Sequence, residues 1–426
     1  MTDSLGQKFN YRSDAARAHV GAAARPSARM MVKESPVYDG RESEILRIVS
    51  VNLILNFMTL GLYRFWAKTR LRRYFLSRIA FLGDRFEYTG TGKELFVGFL
   101  IVLAILAPVG VVFQFLSHYA VSQGLETVVI VQTAYALMFY FLIQIAVYRA
   151  QRYRLSRTSW RGIRGGQSGS AILYALFAMM WSVITLITLG LAYPLMRRSL
   201  QGYKINNARF GDESFHFEGG AGALCLAWIL PWTGLALVVA AFALVGVEQR
   251  GTGPVDWEQA MQDPKQLLQS FGYWQLLLGG FLLFWTTLFW YRAAELRYFA
   301  SRTVFDELRF TSTFKGIQIF LIYIAYLILM LLVVLGAGAL FFAASKVFIG
   351  ANSWFLQTVV SAAVIIPALL LLGALQPLIV QNFLVRVFCN SLIAQGTFSP
   401  ERLLQNQLDI PRRGEGLADA LDIDAF

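Results

Sequence analysis

Arginine, tyrosine and serine recur together, in the same order and spacing, at 152–157 and at 297–302. On a helix, a spacing of four residues places Arg152 beside Ser156. Guanidinium groups match phosphate and carboxylate oxygens in paired bonds, and hydroxyl groups add further donors. The pattern therefore predicts a site for a phosphate or an anionic headgroup. A basic, aromatic segment further upstream extends the set. The residues predicted to bind the anion are Arg73, Tyr74, Arg78, Arg152, Tyr153, Ser156, Arg157, Arg297, Tyr298, Ser301 and Arg302.

The same residues also fit a purely structural role. Arginines and aromatic side chains beside apolar segments orient and anchor a membrane protein without any ligand. The net charge of +12 accompanies long apolar segments, so anionic lipid headgroups are the expected partners. No motif that binds nucleic acid is present in the sequence. We therefore expect membrane lipids as partners and no nucleic acid, and the oligomeric state stays open.

Sets of residues that could do catalysis or bind a metal are missing from the sequence. The two cysteines, Cys225 and Cys389, lie far apart, and no CxxC spacing occurs. The three histidines are scattered, and no Ser/His/Asp or Cys/His set can be assembled from them. We expect no enzymatic activity, no cofactor and no metal site.

The basic segments lie between long apolar runs, and these runs must hold them in place. The 426-residue chain is 56% hydrophobic and only 15% charged, whereas soluble domains carry roughly 25% charged residues. The composition predicts an integral membrane protein. About 20 apolar residues are needed to cross a bilayer, and six runs qualify, paired as three hairpins. These runs are 95–116, 127–147, 222–245, 271–290, 317–343 and 354–380.

The distribution of charge predicts the orientation of these hairpins. Of the 38 lysines and arginines, three lie in the connectors 117–126, 246–270 and 344–353. Cytoplasmic loops of membrane proteins carry an excess of lysine and arginine. We therefore expect both termini and the basic segments in the cytoplasm, and the three connectors on the outer side.

Two shorter apolar stretches, 45–63 and 171–196, have basic sequence at both ends, which does not fit a single crossing. Each contains Thr-Leu-Gly-Leu, and the predicted helix breaks are Thr59 with Gly61 and Thr188 with Gly190. Irregular backbone at membrane depth is tolerated where protein or a wet cavity covers it. The stretches are predicted to be re-entrant or interfacial helical hairpins. In the alternative, both cross fully and the chain has eight spans.

The predicted fold is an all-α polytopic membrane protein with a tandem internal repeat. Its core is six full transmembrane helices in three hairpins with two re-entrant or interfacial elements. The predicted divisions are a disordered cytoplasmic tail (1–40), a first membrane repeat (41–165), a second membrane repeat (166–316), a third membrane hairpin (317–400) and a cytoplasmic C-terminal tail (401–426).

A family resemblance rests on the run from Met58 to Ala67, Met-Thr-Leu-Gly-Leu-Tyr-Arg-Phe-Trp-Ala, with Arg73-Tyr74 and then Arg85 to Gly90. These residues resemble the YjgN family of bacterial inner-membrane proteins, a domain of unknown function. The second copy departs from the first, because Pro194-Leu195-Met196 stands where the first has Phe-Trp-Ala. The resemblance covers most of residues 38–400 and implies a polytopic inner-membrane protein with a cytoplasmic C-terminus. It implies no activity.

Two functions follow as hypotheses. The first is a passive transporter, channel or lipid-handling protein whose cytoplasmic arginine-rich segments engage anionic headgroups or phosphate. The second is a structural or scaffold membrane protein without a transported substrate.

Overall fold

The computed structural model describes residues 30–252, 264–348 and 354–405, with residues 408 and 411. The helices of this part of the chain are α1 Glu42–Met58, α2 Arg64–Ser77, α3 Gly92–Gln123, α4 Leu125–Ser156, α5 Ala171–Ile187, α6 Tyr193–Asn206, α7 Gly222–Thr252, α8 Pro264–Arg302, α9 Gly316–Phe348, α10 Trp354–Gln376 and α11 Asn382–Ser391. A π-helical turn, Pro377–Gln381, joins α10 to α11, and a 3₁₀ turn spans Pro400–Arg402.

The strands are β1 Met30–Glu34, β2 Val37–Tyr38, β3 Ile79–Phe81, β4 Asp84–Tyr88, β5 Thr158–Trp160, β6 Ile163–Gln167, β7 Ala208–Phe210, β8 Glu213–Phe217, β9 Thr303–Phe305, β10 Leu308–Ser312 and β11 Leu392–Phe398. They form a sheet in the order β1-β11-β10-β9-β8-β7-β6-β5-β4-β3-β2. The edge strands β1 and β2 are separated in the chain by Ser35 and Pro36 alone. Three Cα–Cα steps reach at most about 11 Å, so the sheet curls until its two edges nearly meet.

Aromatic side chains fill the concave face of this curled sheet. Trp160 of β5 is 3% exposed, and its ring centroid lies 6.1 Å from that of Phe210 on β7 and 6.4 Å from that of Phe398 on β11. Five strands stand between β5 and β11 in the sheet order, so this contact crosses the inside of the curl. Phe305 on β9 lies 6.0 Å from Phe398 and joins the same cluster. Side chains from strands all round the sheet therefore form one packed core.

The helices are arranged as five pairs, each of which leaves the sheet and returns to it. The pairs are α1–α2, α3–α4, α5–α6, α7–α8 and α9–α10, named here the first to the fifth helix pair. α1 follows β2 and α2 precedes β3, and the later pairs repeat this order, with the π-helical turn and α11 leading the fifth pair to β11. Both ends of every pair therefore lie at the sheet.

Six helices of the described chain are long and apolar enough to cross a membrane. They belong to the second, fourth and fifth pairs and overlap the six predicted spans, and the last of them, Ser361–Ser391, continues through the π-helical turn into α11. In the first and third pairs, α1 and α5 have 17 residues each. At 1.5 Å per residue each is about 25 Å long, shorter than the hydrocarbon layer of about 30 Å. Because both short pairs return to the sheet, their path fits re-entrant hairpins; their depth in a bilayer stays a prediction.

The all-α prediction was wrong in one respect, because it contained no sheet. Most strands have three to five residues and lie inside the segments that the charge pattern identified as basic and cytoplasmic. Two-residue turns join them, and Leu82-Gly83 and Arg161-Gly162 have positive φ at both positions. Turns of this type match the twist of paired strands and favour glycine at the second position. These dipeptides were the local signal for the hairpins.

Only part of each predicted terminal tail lies among the described residues. Residues 30–34 and 37–38, inside the predicted N-terminal tail, form β1 and β2, whereas 1–29 lie outside the described residues. Of the predicted C-terminal tail, 401–405, 408 and 411 are described. Leu403 is 9% exposed and packs in the core of the sheet. The tandem duplication stays a prediction.

The helix breaks of the first and third pairs have one geometry. Thr59 bonds the backbone on both sides of the break, donating to α1 at 2.7 Å and accepting from Tyr63 N at 3.0 Å. Thr188 makes the equivalent bonds at 2.8 and 3.1 Å. The N–H groups of Gly61 and Gly190 each reach back into the preceding helix at 2.7 Å. A glycine with positive φ is the usual residue at such a helix end.

Replacing Gly190 by alanine is expected to lower the free energy of unfolding by about 1–2 kcal/mol. Gly190 has a φ of +88°, which strains any L-residue, and its Cβ would lie 3.4 Å from Leu235. Gly110→Ala is the matched control: that glycine lies inside α3 with open space around it, so alanine should stabilise by up to about 1 kcal/mol. Chemical denaturation in detergent micelles measures both, and equal effects would contradict the break geometry.

Candidate functional site

Arginines connect neighbouring helix pairs to one another, and three of the five, Arg73, Arg152 and Arg297, are among the predicted residues. In each case a guanidinium group near the end of one pair donates to a backbone carbonyl group where the next pair begins. The contacts are Arg73 to Gly90, Arg152 to Ser168 and Gly169, Arg198 to Gly219, Arg297 to Phe314, and Arg386 to Gly40. The last contact joins the end of the fifth pair to the start of the first. These five arginine contacts therefore close the pairs into a ring.

The predicted tyrosines bind the start of their own helix pair. The Tyr153 hydroxyl donates to Glu94 at 2.6 Å, and the Tyr298 hydroxyl donates to the carbonyl group of Gly220. The Tyr74 hydroxyl accepts from the Arg41 N–H at 2.9 Å. Neighbouring side chains on a helix point about 100° apart. In an Arg-Tyr dipeptide the arginine can therefore reach the next helix pair while the tyrosine reaches the start of its own pair. The repeated dipeptide thus has a structural explanation.

The remaining predicted residues lie at the same helix ends. Ser156 and Ser301 donate to the tyrosine carbonyl groups three residues earlier, at 2.8 and 3.1 Å. Arg78 pairs with Glu44 at 2.6 Å, Arg157 pairs with Glu94 at 2.8 Å, and Arg302 is exposed. The structure does not bring the two copies of the pattern together into one site. Anion binding by these residues stays a prediction.

Arg152→Gln should lower the free energy of unfolding by about 1.5–3 kcal/mol, the range for hydrogen bonds made by charged groups. It removes the guanidinium that holds the third pair through the carbonyl groups of Ser168 and Gly169. Arg209→Gln, an exposed arginine on β7, makes the same charge change without this contact and should shift stability by less than about 0.5 kcal/mol. Thermal unfolding in micelles compares the two, and equal losses would contradict a joining role.

A cavity of about 1090 Å³ lies between the helices on the membrane side of the sheet. Its walls come mainly from α1 and from the second helix of every pair (α2, α4, α6, α8 and α10), with Phe99 of α3 and Val385 of α11. Ile79 and Thr158 line the end next to the sheet. Leu60, Gly61 and Leu62, the break of the first pair, line the far end. Of the predicted residues, Gly61 therefore lies at the cavity, whereas Thr59, Thr188 and Gly190 are not among the described residues that line it.

Basic side chains dominate the charge of this cavity. Arg64, Lys68 and Arg72 follow one another at a spacing of four on α2, which places them on one face of that helix. Two further walls contribute Arg154 from α4 and Arg197 and Lys204 from α6. The described lining thus carries six cations and a single carboxylate, Glu295.

Glu295 is 3% exposed and holds two arginines. Its carboxylate accepts from Arg197 Nε at 2.5 Å and from Arg292 Nη1 at 2.9 Å. Burial lowers the pKa of Arg197, but the Glu295 carboxylate outweighs it and the net shift is upward, so the guanidinium stays charged. This pair offsets part of the positive charge of the cavity, and within the described lining the cations still outnumber the carboxylates.

Two amide side chains of α1 also line the cavity. Asn52 is 4% exposed, and its Nδ2 has no hydrogen-bond partner among the described residues. The buried Oδ1 of Asn56 likewise has none within the described chain. Buried polar atoms are nearly always satisfied by protein or ordered water. These amides therefore offer one donor and one acceptor to a molecule in the cavity.

The predicted arginines and the arginines that line the cavity lie on different faces of α2. Arg73 follows Arg72 directly, and the two side chains leave α2 about 100° apart: Arg72 lines the cavity, whereas Arg73 binds Gly90. The signal that could have found the cavity was the spacing of four from Arg64 to Lys68 to Arg72. Glu295 was missed because it lies five residues beyond the predicted span 271–290.

The fold and the cavity define a multi-pass membrane protein with a cationic interior pocket. The chain belongs to the family described as bacterial protein of unknown function (DUF898), which it matches over residues 34–420. This agrees with the predicted YjgN resemblance.

Named relatives are inner-membrane proteins. The chain is 25% identical over 175 residues to inner membrane protein YjgN of Salmonella typhimurium, covering 38% of this chain and 42% of the relative. It is 31% identical over 128 residues to inner membrane protein YjgN of Escherichia coli K12, covering 30% of this chain and 29% of the relative. The chain thus spans less than half the length of these relatives. No solved structure matches it. With its apolar helices, the protein is a multi-pass inner-membrane protein.

Proposed function

We propose that the cavity binds an anion that carries an apolar portion. The observation that supports this is the set of six basic side chains, against one carboxylate, around a pocket that also has leucine and phenylalanine walls. Guanidinium and ammonium groups in a partly dry pocket favour phosphate and carboxylate ligands. The ligand's source is either an anionic lipid headgroup or a phosphorylated solute. The protein would then be a passive transporter, channel or lipid-handling protein.

We place the sheet and both termini on the cytoplasmic side. Every helix pair begins and ends at the sheet, and the basic segments 148–165 and 197–218 lie at these ends. Positive residues near membrane segments favour the cytoplasm. Alkaline phosphatase fused after residue 405 should be inactive and a fluorescent protein fused there should glow; an active phosphatase would contradict this orientation.

The binding proposal is tested by native mass spectrometry of the purified protein with three probes. Phosphatidylglycerol carries the anion and acyl chains, phosphatidylcholine carries the same chains without net charge, and glycerol 3-phosphate carries the anion alone. Wild-type protein should bind phosphatidylglycerol at least about tenfold more tightly than phosphatidylcholine, a difference of about 1.4 kcal/mol. If glycerol 3-phosphate competes with phosphatidylglycerol, the ligand is a soluble phosphate. If it does not compete, the ligand is a lipid.

The decisive variant is Lys68→Gln/Arg154→Gln, which removes two lining cations from different walls. Its affinity for phosphatidylglycerol should fall at least about tenfold. The matched control is Arg209→Gln/Arg309→Gln, which removes the same charge from exposed positions on the sheet. Equal affinity in the two variants would contradict binding in the cavity and leave surface attraction as the explanation.

A scaffold role without a transported substrate is the second candidate. The arginine contacts that join neighbouring pairs support it, because three of the six predicted arginines, Arg73, Arg152 and Arg297, help to hold the ring together. If phosphatidylglycerol binds no better than phosphatidylcholine and the cavity variants behave as wild type, anion binding in the cavity is rejected and the scaffold function is favoured.

A further inference from the structure

The break of the first helix pair opens the cavity to the outside of the helix ring. Leu60 and Leu62 line the cavity and are also 86% and 54% exposed. A Cβ added to Gly61 would meet no described atom within 4 Å. With the sheet at the membrane surface, as proposed above, a short pair about 25 Å long would have its tip within the hydrocarbon layer. The opening at 60–62, named here the lateral mouth, therefore faces lipid.

The third pair has the same break, but there two tryptophans bond its backbone, and none of its residues 188–191 is among the described residues that line the cavity. Trp228 Nε1 donates to the carbonyl group of Gly190 at 3.0 Å, and Trp232 Nε1 donates to that of Leu189 at 2.9 Å. Trp228 also packs on Tyr193, with ring centroids 4.6 Å apart. Two indole groups thus bond two carbonyl groups of the irregular backbone, an arrangement named here the seal, while the side chains of Leu189 and Leu191 stay 71% and 50% exposed.

The residues that take the place of the seal in the first pair cannot make these bonds. The offset that relates the two breaks carries Leu95 to Leu224, each at most 1% exposed, so the helices after the breaks correspond. It carries Phe99 to Trp228 and Leu103 to Trp232. Phe99 packs on Arg64 at 5.5 Å, just as Trp228 packs on Tyr193. Neither phenylalanine nor leucine has a side-chain donor, so these two positions of the first pair cannot form the seal.

The interior beside the lateral mouth suits a molecule with acyl chains and a charged head. Leu53, Phe99 and Leu369 line the apolar part. Lys68 and Arg72 follow at one-turn spacing toward the sheet. The Asn52 Nδ2, which has no partner among the described residues, suits an ester or phosphate oxygen, and the Asn56 Oδ1, which likewise has none there, suits a hydroxyl group. A soluble anion has no favourable interaction with a mouth of leucines in hydrocarbon.

We propose that the lateral mouth seats the acyl chains of an anionic glycerophospholipid whose headgroup lies on the lining cations. This inference rests on the proposed function and names the lipid, rather than a soluble phosphate, as its ligand.

The test copies the seal of the third pair into the first. Phe99→Trp/Leu103→Trp should lower the affinity for dioleoyl phosphatidylglycerol at least about tenfold. Dihexanoyl phosphatidylglycerol, whose short chains need no mouth, should lose several-fold less affinity in this variant than the dioleoyl lipid loses. Val112→Trp/Leu116→Trp is the control, because both positions lie on the same helix and are 58% and 49% exposed; it should bind both lipids normally.

The outcomes separate the two proposals. Normal binding of the dioleoyl lipid by the folded, sealed variant would overturn the lateral mouth, while loss of both lipids in Lys68→Gln/Arg154→Gln would still support the cavity. A second measurement does not depend on the sealed variant folding. A photoreactive benzophenone residue in place of Leu62 should crosslink to dioleoyl phosphatidylglycerol several-fold more than one in place of Leu191, the corresponding position of the sealed break. Equal yields at the two positions would overturn the inference.

Discussion

Glu295→Gln is expected to lower the free energy of unfolding by about 3 kcal/mol and at the same time to strengthen anion binding. Glu295 is 3% exposed and accepts hydrogen bonds from Arg197 and Arg292. Removing its charge leaves two guanidinium groups near each other without a counterion, and breaking a buried pair costs about 3–5 kcal/mol. The arginine side chains are 35% and 42% exposed, which places the loss at the lower end of that range.

The gain in affinity follows from the charge of the cavity. Glu295 is the single carboxylate among the described lining residues, so its removal raises the positive potential there. At an effective dielectric of about 20, a unit charge 8 Å away contributes about 2 kcal/mol, and a gain of at least about tenfold for phosphatidylglycerol is expected. Glu42→Gln is the control, since Glu42 is 56% exposed in its pair with Arg386. Denaturation together with lipid titration measures both effects; lost stability without stronger binding would contradict an anion site.

Trp160→Ala is expected to lower the free energy of unfolding by about 3–5 kcal/mol. The indole ring lies where the strands of the curled sheet meet, packing on Phe86, Phe210 and Phe398. Its Nε1 also donates to the carbonyl groups of the β3–β4 hairpin at 3.2 Å. Alanine would leave a void that side chains from several strands cannot fill together.

The matched control for this prediction is Trp285→Ala. Trp285 lies on α8 and is 46% exposed, so its loss should cost less than about 1 kcal/mol. Unfolding followed by circular dichroism in micelles compares the two variants. A loss of less than about 1 kcal/mol in both variants would contradict a stabilising aromatic core inside the curled sheet.

The membrane helices could be predicted from the sequence because crossing a bilayer needs a long apolar run, which leaves an unmistakable pattern. The Thr-Leu-Gly breaks were predictable for a local reason as well, since glycine supplies the positive φ that ends each helix. The sheet was not predicted, because strands of three to five residues carry little periodicity. Their partners lie on other hairpins, and no local pattern in Thr158–Trp160 names Tyr88 or Phe86 as a neighbour.

The cavity could be predicted only in part. A count of arginines indicated an affinity for anions, but it could not tell which arginines bind carbonyl groups of a neighbouring pair. Arg152 and Arg154 look alike in the sequence, yet Arg152 holds the third pair and Arg154 lines the cavity. A backbone carbonyl group leaves no signature in the sequence, so this difference depends on how the five pairs close into a ring.

The central claim is that an anionic lipid occupies the cavity, and protection of a cysteine placed inside it tests this most directly. Gln201 of α6 lines the cavity and is replaced by cysteine. Cys225 is replaced by serine, so that the buried Cys389 is the one native cysteine left. The rate of maleimide modification is compared in nanodiscs of phosphatidylcholine with and without phosphatidylglycerol. We expect phosphatidylglycerol to slow the reaction at least about tenfold, and to lose this effect in Lys68→Gln/Arg154→Gln. Equal rates with and without phosphatidylglycerol would contradict the claim.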